Sequence, residues 1–434
     1  MNFGFLARYF KLAEHGTSVR TELLAGLTTF LTMAYILAVN PDILAAAGMP
    51  RDSVFVATCL AAALGSAVMG LYANYPIALA PGMGLNAYFA FVVVGTLGYS
   101  WQTALGAVFI SGLLFIILSL LKIREWVVNA IPRSLKLAIS AGIGLFLALI
   151  GLKNAGIIAA DPATYITIGD MHNPAAILAL VGLLLIVALQ ARKVTGGIII
   201  GILLITGLSA ALGLTPFQGV VAVPPSLAPT WLQLDLAGAF NAGLLAVVLT
   251  FFLVELFDAT GTLIGVSHRA GLLDKDGKLP RLNRALLSDS TAIAAGAAMG
   301  TSSTTAYIES AAGTAVGGRT GLTAVVVAGL FLLALFFAPL AASVPGFATA
   351  PALIYVAVLM TRALAELEWD DLTEAAPAVI CAVTMPFTFS IAHGIAFGFV
   401  SYAGIKLLAG RWREVSVAVW VIAAVFVSKF IWLV

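Results

Sequence analysis

Residues 300–321 read GTSSTTAYIESAAGTAVGGRTG. The stretch is as long as a membrane span, yet Ser, Thr and Gly dominate it and a carboxylate, Glu309, stands near its middle. A regular span needs about 20 mostly apolar residues. A segment this polar at membrane depth must be unwound backbone facing protein or a water-filled cavity. A second such stretch, NYPIALAPGMGLNAYFAFVVVG at 74–95, sets Pro76, Pro81, Gly82 and Gly84 ahead of Asn86. Pro removes a backbone donor and Gly frees the chain, so both interrupt helices. Corresponding interrupted segments in two halves of a chain mark the midplane site of a secondary transporter. Close packing through small residues is the plainer alternative. The polar side chain in each segment favours a site.

The rest of the chain supplies the membrane. Of 434 residues, 61% are hydrophobic and only 10% charged, and the mean hydropathy is +1.07, which excludes a soluble domain. The net charge of +2 is spread over loops and implies no nucleic-acid partner. Cys59 and Cys381 lie in apolar runs and read as small buried residues. The lead-in MNFGFLARYFKLAEHGTSVRTE shows no cleavage site, so the first span is expected to act as its own insertion signal. Apolar runs predict spans near 22–40, 53–72, 76–95, 101–121, 134–152, 174–191, 195–213, 240–267, 285–300, 302–318, 321–341, 349–363, 375–391 and 393–409, with a further stretch at 415–433. Placing the N-terminus in the cytoplasm and alternating sides collects Arg8, Lys11, Arg20, Lys122, Arg124, Arg133, Lys136, Arg192 and Lys193 inside. Arg269, Lys275, Lys278, Arg281, Arg284, Arg319, Arg362, Lys406, Arg411 and Arg413 join them, while only Arg51 and Lys153 fall outside. That asymmetry is the positive-inside pattern of an inner-membrane protein.

Seven spans precede the linker 214–239 and seven follow it, and an odd number forces the halves into opposite orientations. GLTTFLTMAYILAVNP in the first span echoes VVLTFFLVELFDATGT in the eighth, and GGIIIGILLITG in the seventh echoes HGIAFGFVSYAG in the fourteenth. The expected organisation is a first repeat over 1–213, an extracellular linker over 214–239, a second inverted repeat over 240–409 and a C-terminal segment over 410–434 of open topology.

Inside the eighth span, Glu255 and Asp258 are three residues apart and share a helix face. A carboxylate at the bilayer centre costs about 2.5–3.5 kcal/mol on insertion scales, so it must face protein or water. Glu309 is placed to converge on the same cavity. Three neighbouring carboxylates cannot all ionise cheaply, which makes proton coupling the natural expectation. No Lys or Arg lies at that depth. The site therefore suits a cation or a neutral ligand rich in N–H donors, and Asn86 offers both a donor and an acceptor to a heterocycle's edge. His15, His172, His268 and His393 form no metal-ligand spacing, and no P-loop is present.

TTFLTMAYILAVNPDIL, ALAPGMGLNAYFAF, VELFDATGTLIGV and GTSSTTAYIESAAGTAVGGRTGLTAV together resemble the AzgA-type purine permeases of the nucleobase:cation symporter superfamily, over nearly the whole chain. The resemblance implies an all-α fold of about fourteen spans, with core parts at 22–121 and 240–341 and gate parts at 134–213 and 349–409. It implies short antiparallel strands in the third and tenth spans. It also implies a non-enzymatic importer of hypoxanthine, guanine or adenine by proton symport, with elevator-like movement and no cofactor beyond the proton. Asn86, Glu255 and Glu309 would bind the base, and Asp258 would serve transport and coupling. Phe252, Tyr88 and Tyr307 are candidates to stack on the ring. Many relatives carry Asp where this chain has Glu255, which leaves the preferred purine open. A homodimer is also left open. Two rivals stand beside this reading: an anion exchanger on the same fold, which would want a cation in the site, and an intramembrane carboxylate-dyad enzyme, whose GxGD-like signature is absent.

Overall fold

The computed structural model describes residues 4–121, 131–240, 242–272 and 279–432. Of the loop charges counted above, Lys122, Arg124, Lys275 and Lys278 lie outside the described residues. Among the described residues, nine helices are long and apolar enough to cross a membrane, and Met83–Thr96, Gly197–Ala211 and Leu372–Phe387 are shorter apolar helices. With Leu282–Met299 and the broken tenth segment they make up the fourteen spans. The first span is itself split, into Val19–Met33 and Ile36–Ala45. Thr32 bonds back to the carbonyls of Thr28 and Thr29, at 3.1 and 2.8 Å, a habit that bends helices. Pro41 then removes a donor from the next turns.

The third and tenth segments are broken as their composition requires. Strand β1 (Leu79–Pro81) precedes the helix beginning at Met83, and β4 (Thr304–Ala306) precedes the helix Ser310–Val316. β1 and β4 pair antiparallel, with Leu79 opposite Ala306 and Pro81 opposite Thr304. Their ends are tied by Gly82 N–H to Ser303 O at 2.8 Å and by Tyr307 N–H to Ala78 O at 2.9 Å. Unwound backbone inside a membrane is thus satisfied across the two halves.

Helix packing repeats about a pseudo-twofold. Span 2 (Arg51–Ala73) packs on span 11 (Gly321–Ala342), as span 9 (Leu282–Met299) packs on span 4 (Trp101–Leu120). Span 1 on span 11 is matched by span 8 (Ala242–Arg269) on span 4. In a second group, span 6 (Pro174–Ala191) on span 12 (Gly346–Thr361) is matched by span 13 (Leu372–Phe387) on span 5 (Arg133–Asn154). Spans 5 and 12 pack on each other. Gly142, Gly144 and Gly151 permit the close approach on span 5: a Cβ there would press on Met385, Met360 or Ile354. The first group meets the second mainly where spans 3 and 8 face span 5 and span 1 faces spans 7 and 12.

Each half fastens its fourth span with an acidic residue from outside it. Fully buried Glu22 accepts from the N–H groups of Arg319, Thr320 and Thr323, at 2.9, 3.3 and 3.2 Å, and from Thr323 Oγ1 at 2.6 Å, at the start of span 11. Half-buried Asp235 accepts from Thr103 Oγ1 at 2.8 Å at the start of span 4, and from Gly238 N–H at 2.9 Å. Both carboxylates satisfy donors at the ends of helices that would otherwise be orphaned.

One hairpin has no counterpart among the expected elements. Between spans 5 and 6, β2 (Ile158–Asp161) and β3 (Tyr165–Ile168) form an exposed hairpin. Asp161 Oδ1 accepts from the N–H groups of Ala163 and Thr164, each at 2.8 Å, which closes the turn. The stretch at 415–433 does not disturb the seven-plus-seven count. Its helix, Val417–Trp432, lies on span 14 (Ile391–Leu408), with Phe430 against His393 and Phe397.

Candidate functional site

A cavity of about 280 Å³ opens at the seam between the two helix groups, a volume near the lower end for small-molecule sites. Its floor is the broken backbone, Gly82–Leu85 from one half and Thr305–Glu309 from the other. Span 8 contributes Val254, Asp258 and Thr262, one face at spacings of four; span 5 contributes Ser140, Ile143 and Leu147. Span 12 closes the side with Val356, Leu359 and Met360. At one end stand Arg362 and Glu366, the latter paired with Arg133 at 2.8 Å on the face from which span 5 starts. Toward the opposite face, Phe389 packs edge-on against Phe91 and Phe146, with ring centroids 6.3 and 5.2 Å apart, and Lys153 lies over the Phe389 ring.

Among the described residues three carboxylates line the cavity: Asp258 and Glu309 within it, and Glu366 at the end beside Arg362, the cation among its lining residues. Glu309 Oε1 accepts a hydrogen bond from the Tyr35 hydroxyl at 2.5 Å. Tyr307 donates to Pro81 O at 2.5 Å, across the paired strands. Of the seven residues singled out from the sequence, Asp258, Glu309 and Tyr307 line this space.

The other four pack behind it. Glu255 is fully buried and accepts from Ser111 Oγ of span 4 at 3.1 Å and from Ser303 Oγ, just ahead of β4. Asn86 donates to Asn40 Oδ1 at 2.6 Å, and Asn40 donates to Thr58 and Thr301 at 2.7 and 2.9 Å, a buried layer joining spans 1, 2 and 3 to the turn before span 10. Tyr88 meets Phe251 edge-on, and Phe252 stacks on Phe115 with centroids 4.5 Å apart. Of these four, Glu255 and Asn86 tie the neighbouring spans to the turn leading into β4, through Ser303 and through Asn40 and Thr301.

Two residues of this region escaped the sequence reading. Tyr35 is one, hidden because an aromatic in an apolar run carries no cost that draws notice. Asp289 is the other: fully buried in span 9, it accepts from Thr305 Oγ1 of β4 at 3.1 Å. The cost argument that exposed Glu255 would have found it.

A larger space of about 680 Å³, on the face of Arg133 and Glu366, is lined by charged residues including Asp371, Glu374, Arg411 and Glu414. These charges answer one another. Fully buried Lys406 pairs with Glu374 and Glu414, each at 2.8 Å, and Arg411 pairs with Asp371 at 2.7 Å. The Thr373 hydroxyl and Arg411 hold the Asp371 carboxyl well below its usual range, and Arg411 and Lys406 hold Glu414 down at about 2. The cluster braces spans 5, 13 and 14.

Comparison with known proteins gives a consistent picture. The family model Xan_ur_permease, described as Permease family, matches residues 20–397. The chain is 52% identical to the adenine permease AdeQ of Escherichia coli, over 99% of this chain and 96% of that one. It is 48% identical to the guanine/hypoxanthine permease PbuO of Bacillus subtilis, over 96% of this chain and 98% of that one. Among solved structures, the transmembrane domain of the cyanobacterial bicarbonate transporter BicA superposes with a TM-score of 0.67 at 18% identity, covering 86% of this chain and 96% of the other. That likeness is one of fold.

Proposed function

This chain belongs to the xanthine/uracil-type Permease family, and from that membership we propose that it is a purine nucleobase permease driven by protons. The base enters the seam cavity and presents N–H groups to Glu309 and Asp258, while the backbone of the two broken spans meets its edges. The observation that carries this reading is the pair Asp258 and Glu309 inside the cavity, where among the described residues the charged groups otherwise lining it are Arg362 and Glu366 at the end. Such a lining suits neutral heterocycles bearing N–H donors and repels anions, although an anion transporter shares the fold.

Glu255 and Asn86 act from behind, Glu255 by holding Ser303 and Asn86 through Asn40. A proton shared between Asp258 and Glu309 lowers the cost of carrying both through the membrane. The helix group of spans 1–4 and 8–11 then moves against the group of spans 5–7 and 12–14, an elevator step supported by the sparse seam between them. The charge asymmetry of the loops supports a bacterial-type inner membrane with the N-terminus and the Arg362 end of the cavity on the cytoplasmic side.

Uptake of labelled adenine, guanine, hypoxanthine, xanthine and uracil into deficient cells tests the reading. A purine accumulates, and a protonophore abolishes the accumulation. Glu309→Gln loses about 10–100-fold in apparent affinity, the measure of one charge-assisted hydrogen bond of about 1.5–3 kcal/mol. Accumulation that survives the protonophore would sink the coupling, and wild-type affinity in Glu309→Gln would sink the site.

A further inference from the structure

We propose that Tyr35 is a positioning residue that aims the Glu309 carboxylate at the ligand, and that the break in span 1 exists to place it. The inference rests on the reading of Glu309 as an acceptor for the base. Tyr35 occupies the interruption between Val19–Met33 and Ile36–Ala45, lines the cavity, and has its ring fully buried. Its hydroxyl donates to Glu309 Oε1 at 2.5 Å, the short separation of a hydrogen bond to a carboxylate. One turn earlier Thr32, whose hydroxyl already bends its own helix, comes within 3.5 Å of the Glu309 backbone carbonyl. Two residues on one face of span 1 thus touch the same residue of span 10, one at its side chain and one at its main chain.

Glu309 needs such help. It stands between β4 and the short helix Ser310–Val316, with a long side chain at the edge of an open space. A glutamate free to rotate would surrender rotamer freedom when it captured a base, and a carboxylate already anchored through one oxygen surrenders less. The direction of the hydrogen bond adds a chemical constraint. An ionised carboxylate only accepts, so Tyr35 commits its single proton to Glu309. Toward the cavity the phenol oxygen can then only accept. A ligand at this end meets two neighbouring acceptors, which calls for N–H groups along one edge.

The test is a mutant cycle on whichever of adenine, guanine and hypoxanthine the wild-type chain carries best. Tyr35→Phe keeps the ring and removes the hydroxyl. Its expected effect is a KM raised about tenfold, with the maximum rate and membrane abundance unchanged; Kd on the purified protein rises in parallel. Glu309→Asp keeps the charge but withdraws it from the phenol's reach. In that background Tyr35→Phe changes KM less than twofold. An unchanged KM in Tyr35→Phe, or effects that multiply in the double variant, would overturn the inference, as would a fall in maximum rate at unchanged KM. Failure of the underlying reading looks different: Glu309→Gln itself would then bind the base like the wild type.

Discussion

Replacing Glu22 separates the scaffold from the site. Its carboxylate is fully buried and receives three backbone N–H groups and one hydroxyl at the head of span 11. Glu22→Ala leaves all four donors without that partner in a space water does not reach. A hydrogen bond to a charged group is worth about 1.5–3 kcal/mol, but four to one carboxylate are not additive. Each orphaned buried donor costs about 1–3 kcal/mol, and with partial relaxation of the four together a destabilisation of about 3–5 kcal/mol is expected. Glu22→Gln keeps one oxygen as an acceptor and is expected to cost about half as much. Asp235→Ala, at the related position of the other half, removes a half-buried cap and costs about 1 kcal/mol. Cys59 and Cys381 are free and buried, so a thiol-reactive dye reports unfolding of the purified protein directly. The midpoints should fall in the order wild type, Asp235→Ala, Glu22→Gln, Glu22→Ala, with the two middle variants close together. KM for the base should stay unchanged, because Glu22 does not line the cavity. Should Glu22→Ala melt with the wild type, burial and hydrogen-bond count would be poor guides to what secures this fold.

Asp258→Asn is expected to lower uptake at least tenfold with a normal melting temperature, because Asp258 lines the cavity. Glu255→Gln is expected to lower the melting temperature first and affinity second, because Ser111 and Ser303 depend on it; the reverse pattern in paired uptake and melting curves refutes the assignment. The brace around Arg411 carries a pH signature. Glu414 is depressed from its ordinary value near 4.3 to about 2, so its contribution is complete above about pH 5 and is lost as pH falls toward 2. The melting difference between wild type and Arg411→Gln should hold constant from pH 8 to 5 and close below pH 4; a difference that closes between pH 8 and 6 contradicts it. Orientation is checked by cysteine labelling of intact cells: an impermeant maleimide should reach Thr164→Cys in the β2–β3 hairpin and should miss Glu368→Cys until the cells are opened.

What the sequence made legible follows from cost. Polar and helix-breaking residues are expensive in a bilayer, so the interruptions at Pro81–Gly82 and around Glu309 stand out, and both became paired strands. Glu255 and Asp258 stand out for the same reason, but spacing alone could not divide their work. Three residues on a helix leave two side chains adjacent yet diverging. Here that difference sends Asp258 to the cavity and Glu255 to Ser111 and Ser303. Residues without such a cost stayed silent. Tyr35 looks like any aromatic in a span, and its role lies in a contact with a segment from the other half. Glu22 sits where a span begins, where a carboxylate is unremarked, and its partners are likewise far along the chain. The β2–β3 hairpin was signalled by Asp161 and the β-branched run after it, a pattern easily passed over in a chain read for helices.

The pairing of β1 with β4 has a consequence for how the molecule is made. The two strands belong to opposite halves, so Leu79–Pro81 is synthesised seven spans before the backbone that satisfies it. Until Thr304–Ala306 arrives, the nascent chain holds open strand edges within the bilayer, where no water can substitute. Assembly of the floor therefore waits until the chain has been made through Ala306 of its 434 residues. An interrupted or truncated product would present to the membrane the exposed backbone by which quality control recognises an unfinished protein.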